Sequence, residues 1–204
     1  MRGDEFDEDI EFSNLCGSIF LSINFWIGAI KMNEIPKKLN IGCGHKPLPG
    51  WINIDRDPPD DVPDIMRVDV GQGLPFKDNS FNEIFLDNVI EHIYDIPGLM
   101  AEVHRVLVVG GVCNIVTPHF SSASSYRDPT HLHHLSYFSF DYFETGSRSN
   151  YIKAGFKVSK RISFGGGFGL IGRFLFWLSP QRWENRYSFV FRASSIKFAL
   201  EKVV

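Results

Sequence analysis

The sequence predicts a layered α/β fold with a binding crevice at the carboxyl ends of parallel strands, and three observations carry that reading. Leu39-Asn40-Ile41-Gly42-Cys43-Gly44 and Trp51-Ile52-Asn53-Ile54-Asp55 each read as a short buried strand that ends in residues suited to binding. Gly42 and Gly44 bracket one residue, so the chain can turn sharply and leave bare backbone for a ligand. Asp55 puts a carboxylate at the same edge, where it can accept hydrogen bonds from a sugar diol. Apolar runs then recur as five short strands and two late ones, with a helical stripe among them. Finally, 204 residues suffice for one domain with a sizeable core.

Residues 1–31 stand apart from this pattern. Asp4 to Glu11 is acidic, and Leu15–Ile30 is uncharged and rich in Ile, Phe and Trp. The apolar run is short for a membrane span, and its flank is acidic where a signal peptide is basic. It reads first as an N-terminal extension, second as a helix packed on the domain and third as a membrane anchor. The folded domain is expected over residues 32–204.

Only His45 to Gly50 separate the first two strands, and two of those six residues are proline. A parallel crossover normally contains a dozen or more residues, usually a helix. Six or seven extended residues reach roughly 20–23 Å, enough to run back along a short strand without one. The first crossovers are therefore expected to be shortened, since Pro58 to Pro63 is equally tight before a third strand at Ile65–Val70. Glu83–Asp87 reads as strand four. Pro97 to Val108 carries a helical stripe that Gly110-Gly111 should end, and Val112–Thr117 reads as strand five. Phe138 to Ala154 reads as an interrupted helix, Phe156–Phe164 as strand six, and Tyr187 to Lys202 contains the last strand.

The short first crossover also selects the ligand. A dinucleotide fingerprint wants a third glycine where this chain has Pro47, and an acidic residue about 20 positions on. Asp55 follows Gly42 by 13. Pyrophosphate binding uses the N-terminus of the first helix, which the sequence leaves no room for. A nucleoside ligand without phosphates loses nothing by that absence.

The motifs Leu39-Asn40-Ile41-Gly42-Cys43-Gly44, Gly50-Trp51-Ile52-Asn53-Ile54-Asp55, Leu74-Pro75-Phe76, Phe81-Asn82-Glu83-Ile84, Ile90-Glu91-His92 and Glu102-Val103-His104-Arg105-Val106-Leu107 occur in this order. Together they resemble the class I S-adenosylmethionine-dependent methyltransferases of the type 11 kind, over about residues 38–156. The resemblance implies a Rossmann-like, seven-stranded, mostly parallel sheet with helices on both faces and the last strand antiparallel. It implies S-adenosyl-L-methionine as cofactor. Gly42, Cys43 and Gly44 would contact its methionine tail and Asp55 its ribose, with Ile41 and Arg56 beside them in the binding set. Asp69 and Val70 would border the adenine, and the backbone of Asp87 and Asn88 would meet the amino group. The family often has an acidic residue where this chain has Asn40. Asp69 before Gly71 is also ordinary turn chemistry.

Methyl transfer is an in-line displacement at an activated carbon, so positioning supplies much of the rate. A base serves only a hydroxyl or protonated-amine acceptor. The candidates are His119 and His131, in the loop after strand five, and His92 after strand four; each reads equally as a hydrogen-bonded loop histidine. His131-x-His133-His134 lacks a carboxylate or cysteine partner in a recognised spacing, so no metal is expected. Cys16, Cys43 and Cys113 have no paired spacing, which excludes a disulfide frame and a zinc knuckle and fits a reducing cytoplasm.

Residues 148–204 carry 11 Lys/Arg against 2 Asp/Glu, and residues 1–147 carry 10 against 22. A basic segment packed on the acidic part explains this more simply than an anionic partner. The apolar stretch at residues 164–178 reads as an acceptor lid, an interfacial helix touching a membrane, or a helix buried on the sheet. Many members of the family it resembles are encoded with glycan-building enzymes, so the resemblance implies a small-molecule or sugar acceptor. Asp87-Asn88-Val89-Ile90 is not the Asn/Asp-Pro-Pro-aromatic motif of nucleic-acid methyltransferases, and no broad basic footprint exists. The rival reading is a non-catalytic binding or scaffold protein on the same fold.

Overall fold

The computed structural model describes residues 37–147 and 155–204. The extension expected at residues 1–31, and the helix expected beyond Ser147, fall on residues outside these ranges. Seven strands form one sheet: β1 (Lys38–Ile41), β2 (Ile52–Asp55), β3 (Ile65–Arg67), β4 (Phe81–Asp87), β5 (Leu107–Pro118), β6 (Phe156–Phe164) and β7 (Ala193–Lys202). Their order is β3-β2-β1-β4-β5-β7-β6. The first five are mutually parallel. Only β7 runs antiparallel to its neighbours, β5 and β6, between which it is inserted. The order reverses between β1 and β4, which opens a crevice at the carboxyl ends of β1, β2 and β4.

Among the described residues no helix stands between β1 and β2 or between β2 and β3, as the short proline-bearing links require. An amide pair does the work of the first helix. Asn40 Nδ2 donates to Asn53 Oδ1 at 2.9 Å. That same Oδ1 accepts from Leu48 N–H at 2.8 Å, and Asn53 Nδ2 donates to the carbonyls of Leu48 and Trp51. Both asparagines are buried, at 4% and 7% exposure, so these bonds cannot be exchanged for water at little cost.

The helix α1 (Ile96–Val106) is capped by Asp95, whose side chain accepts from Gly98 N–H at 2.9 Å, with Pro97 in the first turn. Leu99, Met100, Val103 and Val106 are buried against the sheet, each burial contributing on the order of 2 kcal/mol. This helix ends two residues earlier than its sequence suggests. Leu107 turns extended and begins β5, so Gly110 and Gly111 lie inside that strand rather than capping the helix. Gly111 is needed there because a Cβ would sit 2.9 Å from Val108 O and 3.2 Å from Asn82 O.

Three short helices follow: α2 (Ser124–Arg127), α3 (Gly169–Leu178) and α4 (Pro180–Arg186), the last capped by Ser179. The helix expected from Phe138 is a single 3-10 turn at Ser139–Phe143. Thr145 N–H donates to Phe156 O, which draws the chain into register with β6 and takes it out of a helix.

Arg105, near the end of α1, fastens the Leu74-Pro75-Phe76 loop. Its Nε and Nη2 donate to the two oxygens of Glu102, both at 2.7 Å. The guanidinium also donates to Asp78 and to the carbonyls of Phe76 and Leu74, and Glu102 Oε2 accepts from Leu74 N–H. The Arg105 hydrogen bonds hold the Glu102 carboxyl below the usual carboxylate range. Its stabilising contribution is present above the unfolded-state pKa and is lost as the pH falls through the lowered folded value. Arg105→Ala should therefore cost about 2–3 kcal/mol near neutral pH. It should also flatten the loss of stability below about pH 5, as read by urea unfolding across pH. An unchanged acid limb would refute the role of this pair.

Candidate functional site

The carboxyl ends of β1, β2 and β4 line a cleft of about 1210 Å³. Of the cofactor-binding residues expected from sequence, it brings together Ile41, Gly42, Asp55, Arg56, Asp69, Val70 and Asn88. Cys43, Gly44 and Asp87 are adjacent in the chain but contribute no surface to the lining.

Gly42 stands where no side chain fits. Its φ is +67°, and a Cβ would approach Val89 Cγ2 to 2.5 Å. Its N–H donates to Ile54 O, which ties the glycine turn to β2. Gly44 also has positive φ, at +48°, but nothing lies within 4 Å of its missing Cβ. Its N–H donates to Asp55 Oδ2 at 2.8 Å, and Asp55 Oδ1 accepts from Asp57 N–H at 2.9 Å. Asp55 thus fixes the glycine loop and keeps further lone pairs on both oxygens for a ligand. Cys43 is buried, and burial followed by the nearby Asp55 pushes its thiol up; burial does the same to Cys113. Neither is a thiolate nucleophile.

Asp69 caps a 3-10 turn at Val70–Gln72, accepting from Gly71 N–H at 2.9 Å. Its turn chemistry is real, and the same turn sets Val70 in the cleft wall. Asn88 has φ +54° and donates from Nδ2 to Asp87 Oδ1, turning the chain at the end of β4. Asn40 is not in the lining; it is spent on Asn53.

The three candidate histidines separate. His119 has no exposed surface and lies outside the lining. Ser121 N–H donates to its Nδ1, so its Nε2–H donates to Glu184 Oε1 at 3.0 Å. With both nitrogens committed it holds no lone pair for a base, so the expectation that it meets an acceptor gives way to a structural role. Glu184 also accepts from Ser136 Oγ and Tyr137 N–H, which pins the loop after β5 onto α4. His92 lines the cleft. His131 does not, although its neighbours Thr130 and Leu132 do.

Glu91, which sequence reasoning passed over, joins these two. It is 1% exposed, and its Oε2 accepts from Thr117 Oγ1 at 3.1 Å. Burial raises its carboxyl pKa above the usual range against the lowering effect of these neighbours. The carboxylate missing from the His131 neighbourhood in sequence is therefore supplied through space. Its Oε1 lies 4.0 Å from His131 Nε2. Only the Ile90-Glu91-His92 motif hinted at it.

The cleft has a sign. Asp55, Asp57, Asp69, Asp95 and Glu102 line it against Arg56. Such a surface attracts cations and repels polyanions.

The family model described as a methyltransferase domain, type 11, matches residues 50–115, about a third of the chain, from the start of β2 into β5. No curated protein matches the chain significantly. Among solved structures, the YcgJ protein from Bacillus subtilis is similar with TM-score 0.54 at 17% identity, over 86% of this chain and 97% of that one. A SAM dependent methyltransferase from Archaeoglobus fulgidus gives TM-score 0.56 at 13% identity, over 90% and 94%. The [4+2]-cyclase SpnF gives TM-score 0.54 at 16% identity, over 83% and 76%. At these identities the likeness is one of fold.

Gly42 and Gly44 differ in a way that substitution can read. Gly42→Ala meets both the left-handed backbone and Val89, and should destabilise by about 2–4 kcal/mol. Gly44→Ala meets the backbone alone and should cost about 1–2 kcal/mol. Equal losses in urea unfolding would show that the Val89 contact is not what requires glycine.

Proposed function

We propose, from the premise that this chain is a class I S-adenosylmethionine-dependent methyltransferase of the type 11 kind, that it methylates a small-molecule or glycan-type acceptor in this cleft. The single observation that carries the reading is the cleft itself, lined by Gly42, Asp55, Asp69, Val70 and Asn88. Its volume of about 1210 Å³ exceeds the roughly 300–1,000 Å³ of a typical small-ligand pocket. That leaves room for an acceptor beside the donor. The acidic lining suits a sulfonium-bearing donor with a net positive charge, and it argues against a nucleic-acid acceptor.

In this reading the ribose hydroxyls donate to Asp55, Val70 borders the adenine, and the methionine tail lies over Gly42. The acceptor enters between His92, Tyr94, Thr130 and Leu132. Its nucleophilic atom attacks the methyl carbon as the carbon–sulfur bond breaks. The bonding pair returns to sulfur, giving S-adenosylhomocysteine, and a hydroxyl acceptor releases its proton to His92 or to water. Residues 32–204 form the catalytic domain, working in the cytoplasm. A fold kept without methyl transfer is the second reading, favoured by the backbone bonds that already occupy Asp55 and by the likeness to a cyclase.

Calorimetry with S-adenosylmethionine or S-adenosylhomocysteine tests the first step. The intact protein should bind in the micromolar range, and Asp55→Ala should weaken binding by about tenfold or more, the loss of roughly two charge-assisted hydrogen bonds. Absence of binding at millimolar ligand would overturn the assignment. Radiolabelled methyl transfer to fractionated extract then separates enzyme from scaffold.

The stretch at residues 164–178 supports peripheral membrane contact. Helix α3 packs through Gly169 and Gly172, and a Cβ on Gly172 would lie 2.8 Å from Phe191 O. Phe176 packs on Tyr137, Phe164 and Trp183, but Leu170, Phe174 and Trp177, with Phe168 just before the helix, face outward and are 58–76% exposed. The helix is not buried on the sheet, and it supplies nothing to the cleft lining. No helix among the described residues is long and apolar enough to cross a membrane. In flotation, phosphatidylserine-containing vesicles should carry the protein, and the double variant Phe174→Ser, Trp177→Ser should remain below. No flotation with any vesicle would remove this contact.

A further inference from the structure

At the rim of the cleft, the 3-10 turn Ile90–His92 meets the loop from Asp128 to His134. One ligand-capable atom from each of Glu91, His92 and His131 lies within 4.8 Å of the other two. Glu91 Oε1 is buried and has no hydrogen-bond partner among the described residues. A buried carboxylate oxygen without a donor is costly, and in a folded protein it calls for an occupant.

Both imidazoles are held in the tautomer that a metal needs. His131 Nδ1 lies 2.9 Å from Ser125 O, and a carbonyl can only accept, so that nitrogen carries the proton. His92 Nδ1 lies 3.2 Å from Thr130 O and is protonated for the same reason. Nε2 of each ring is left as the lone-pair nitrogen. The second carboxylate oxygen of Glu91 is oriented by Thr117. Each of the three groups thus has an outer partner that fixes its direction, the arrangement that accompanies metal ligands.

We infer that Glu91, His92 and His131 bind one first-row divalent transition-metal ion, with its open positions toward the cleft. Two imidazole nitrogens and one carboxylate oxygen suit zinc, iron(II), cobalt(II) or nickel(II) better than magnesium or calcium. Metal bonds of about 2.1 Å set ligand atoms about 3–3.5 Å apart, so binding draws the set together by roughly an ångström. His133 and His134 lie outside this cluster, and His134 Nδ1 meets Ser125 Oγ while its ring stacks on Tyr126. Because His92 is shared with the cleft wall, an oxygen or nitrogen of the acceptor can take an open coordination position. With the ion bound, the Nε2 lone pair of His92 is taken, so the proton of a hydroxyl acceptor goes to water; the site goes beyond the methyl-transfer reading and does not need it to be right.

Untagged full-length protein, dialysed against chelator, is titrated with Co2+ and Zn2+ near neutral pH, without methyl donor. One equivalent of Co2+ should bind with visible d–d absorption and be displaced by Zn2+. Glu91→Gln and His131→Gln should each weaken binding by about tenfold or more, with near-ultraviolet circular dichroism unchanged. His92→Gln, at the half-buried rim, gives the same reading should a buried variant fail to fold. Failure of the parent to retain metal, or retention by all three variants at the parent's affinity, overturns the site. Normal S-adenosylhomocysteine binding alongside that failure would leave the methyltransferase reading standing.

Discussion

The hydrogen bond between Asn40 and Asn53 is the constraint on which the cleft depends. A parallel crossover without a helix leaves its loop's backbone groups unpaired, and here one buried side chain answers three of them. Asn53 can do so because an amide offers both donors and an acceptor. Asn40 must then be a donor toward Asn53 Oδ1, which a carboxylate is not. An acidic residue in place of Asn40 could not hold the loop in this way. With the loop fixed, Gly42 and Asp55 are set facing one another across β1 and β2.

The parts legible in the sequence are those written in local pattern. β6 is found at its expected bounds, Phe156–Phe164, and Gly42, Asp55 and Val70 reach the cleft because strand ends in a parallel sheet share an edge. What the sequence hid is long-range. His119 and Glu184 are 65 residues apart, so nothing local distinguishes that buried pair from a histidine waiting for a substrate. His131 lacked a carboxylate in its own loop, and the partner arrived from Glu91 on another strand's end. The helix expected after Phe138 failed for a related reason: pairing with Phe156 competes with helical bonds, and the competitor lies beyond the segment.

Charge follows the same division. The excess of basic residues after residue 147 is partly answered from the acidic part of the chain. Lys160 pairs with Asp141 and lies over the rings of Tyr137 and Phe138, and Lys202 donates to Asn79 and to Leu107 O. These are internal contacts of β6 and β7, so the packed reading of the basic segment accounts for them. Five of the remaining acidic residues, Asp55, Asp57, Asp69, Asp95 and Glu102, stand together in the cleft. A polyanion entering there would meet like charge at short range in a partly enclosed site, where screening by salt is weakest.

The remaining anomaly is the inverted helix α3. An amphipathic helix normally buries its large side chains and exposes its small or polar ones. Here Gly172 makes the close approach, against Phe164 and Phe191, with Phe176 packed beside it on Trp183, and the face bearing Phe174 and Trp177 is left in water. Reversing the helix would put a side chain where a Cβ has 2.8–3.1 Å of space, so the packing that holds α3 also prevents it from hiding that face. The exposure is therefore enforced by the body of the fold. Since α3 shares no residue with the cleft lining, whatever covers its aromatic face can do so without closing the cleft. Membrane contact through that face, as proposed, would leave the side of the cleft lined by His92 and Leu132 open.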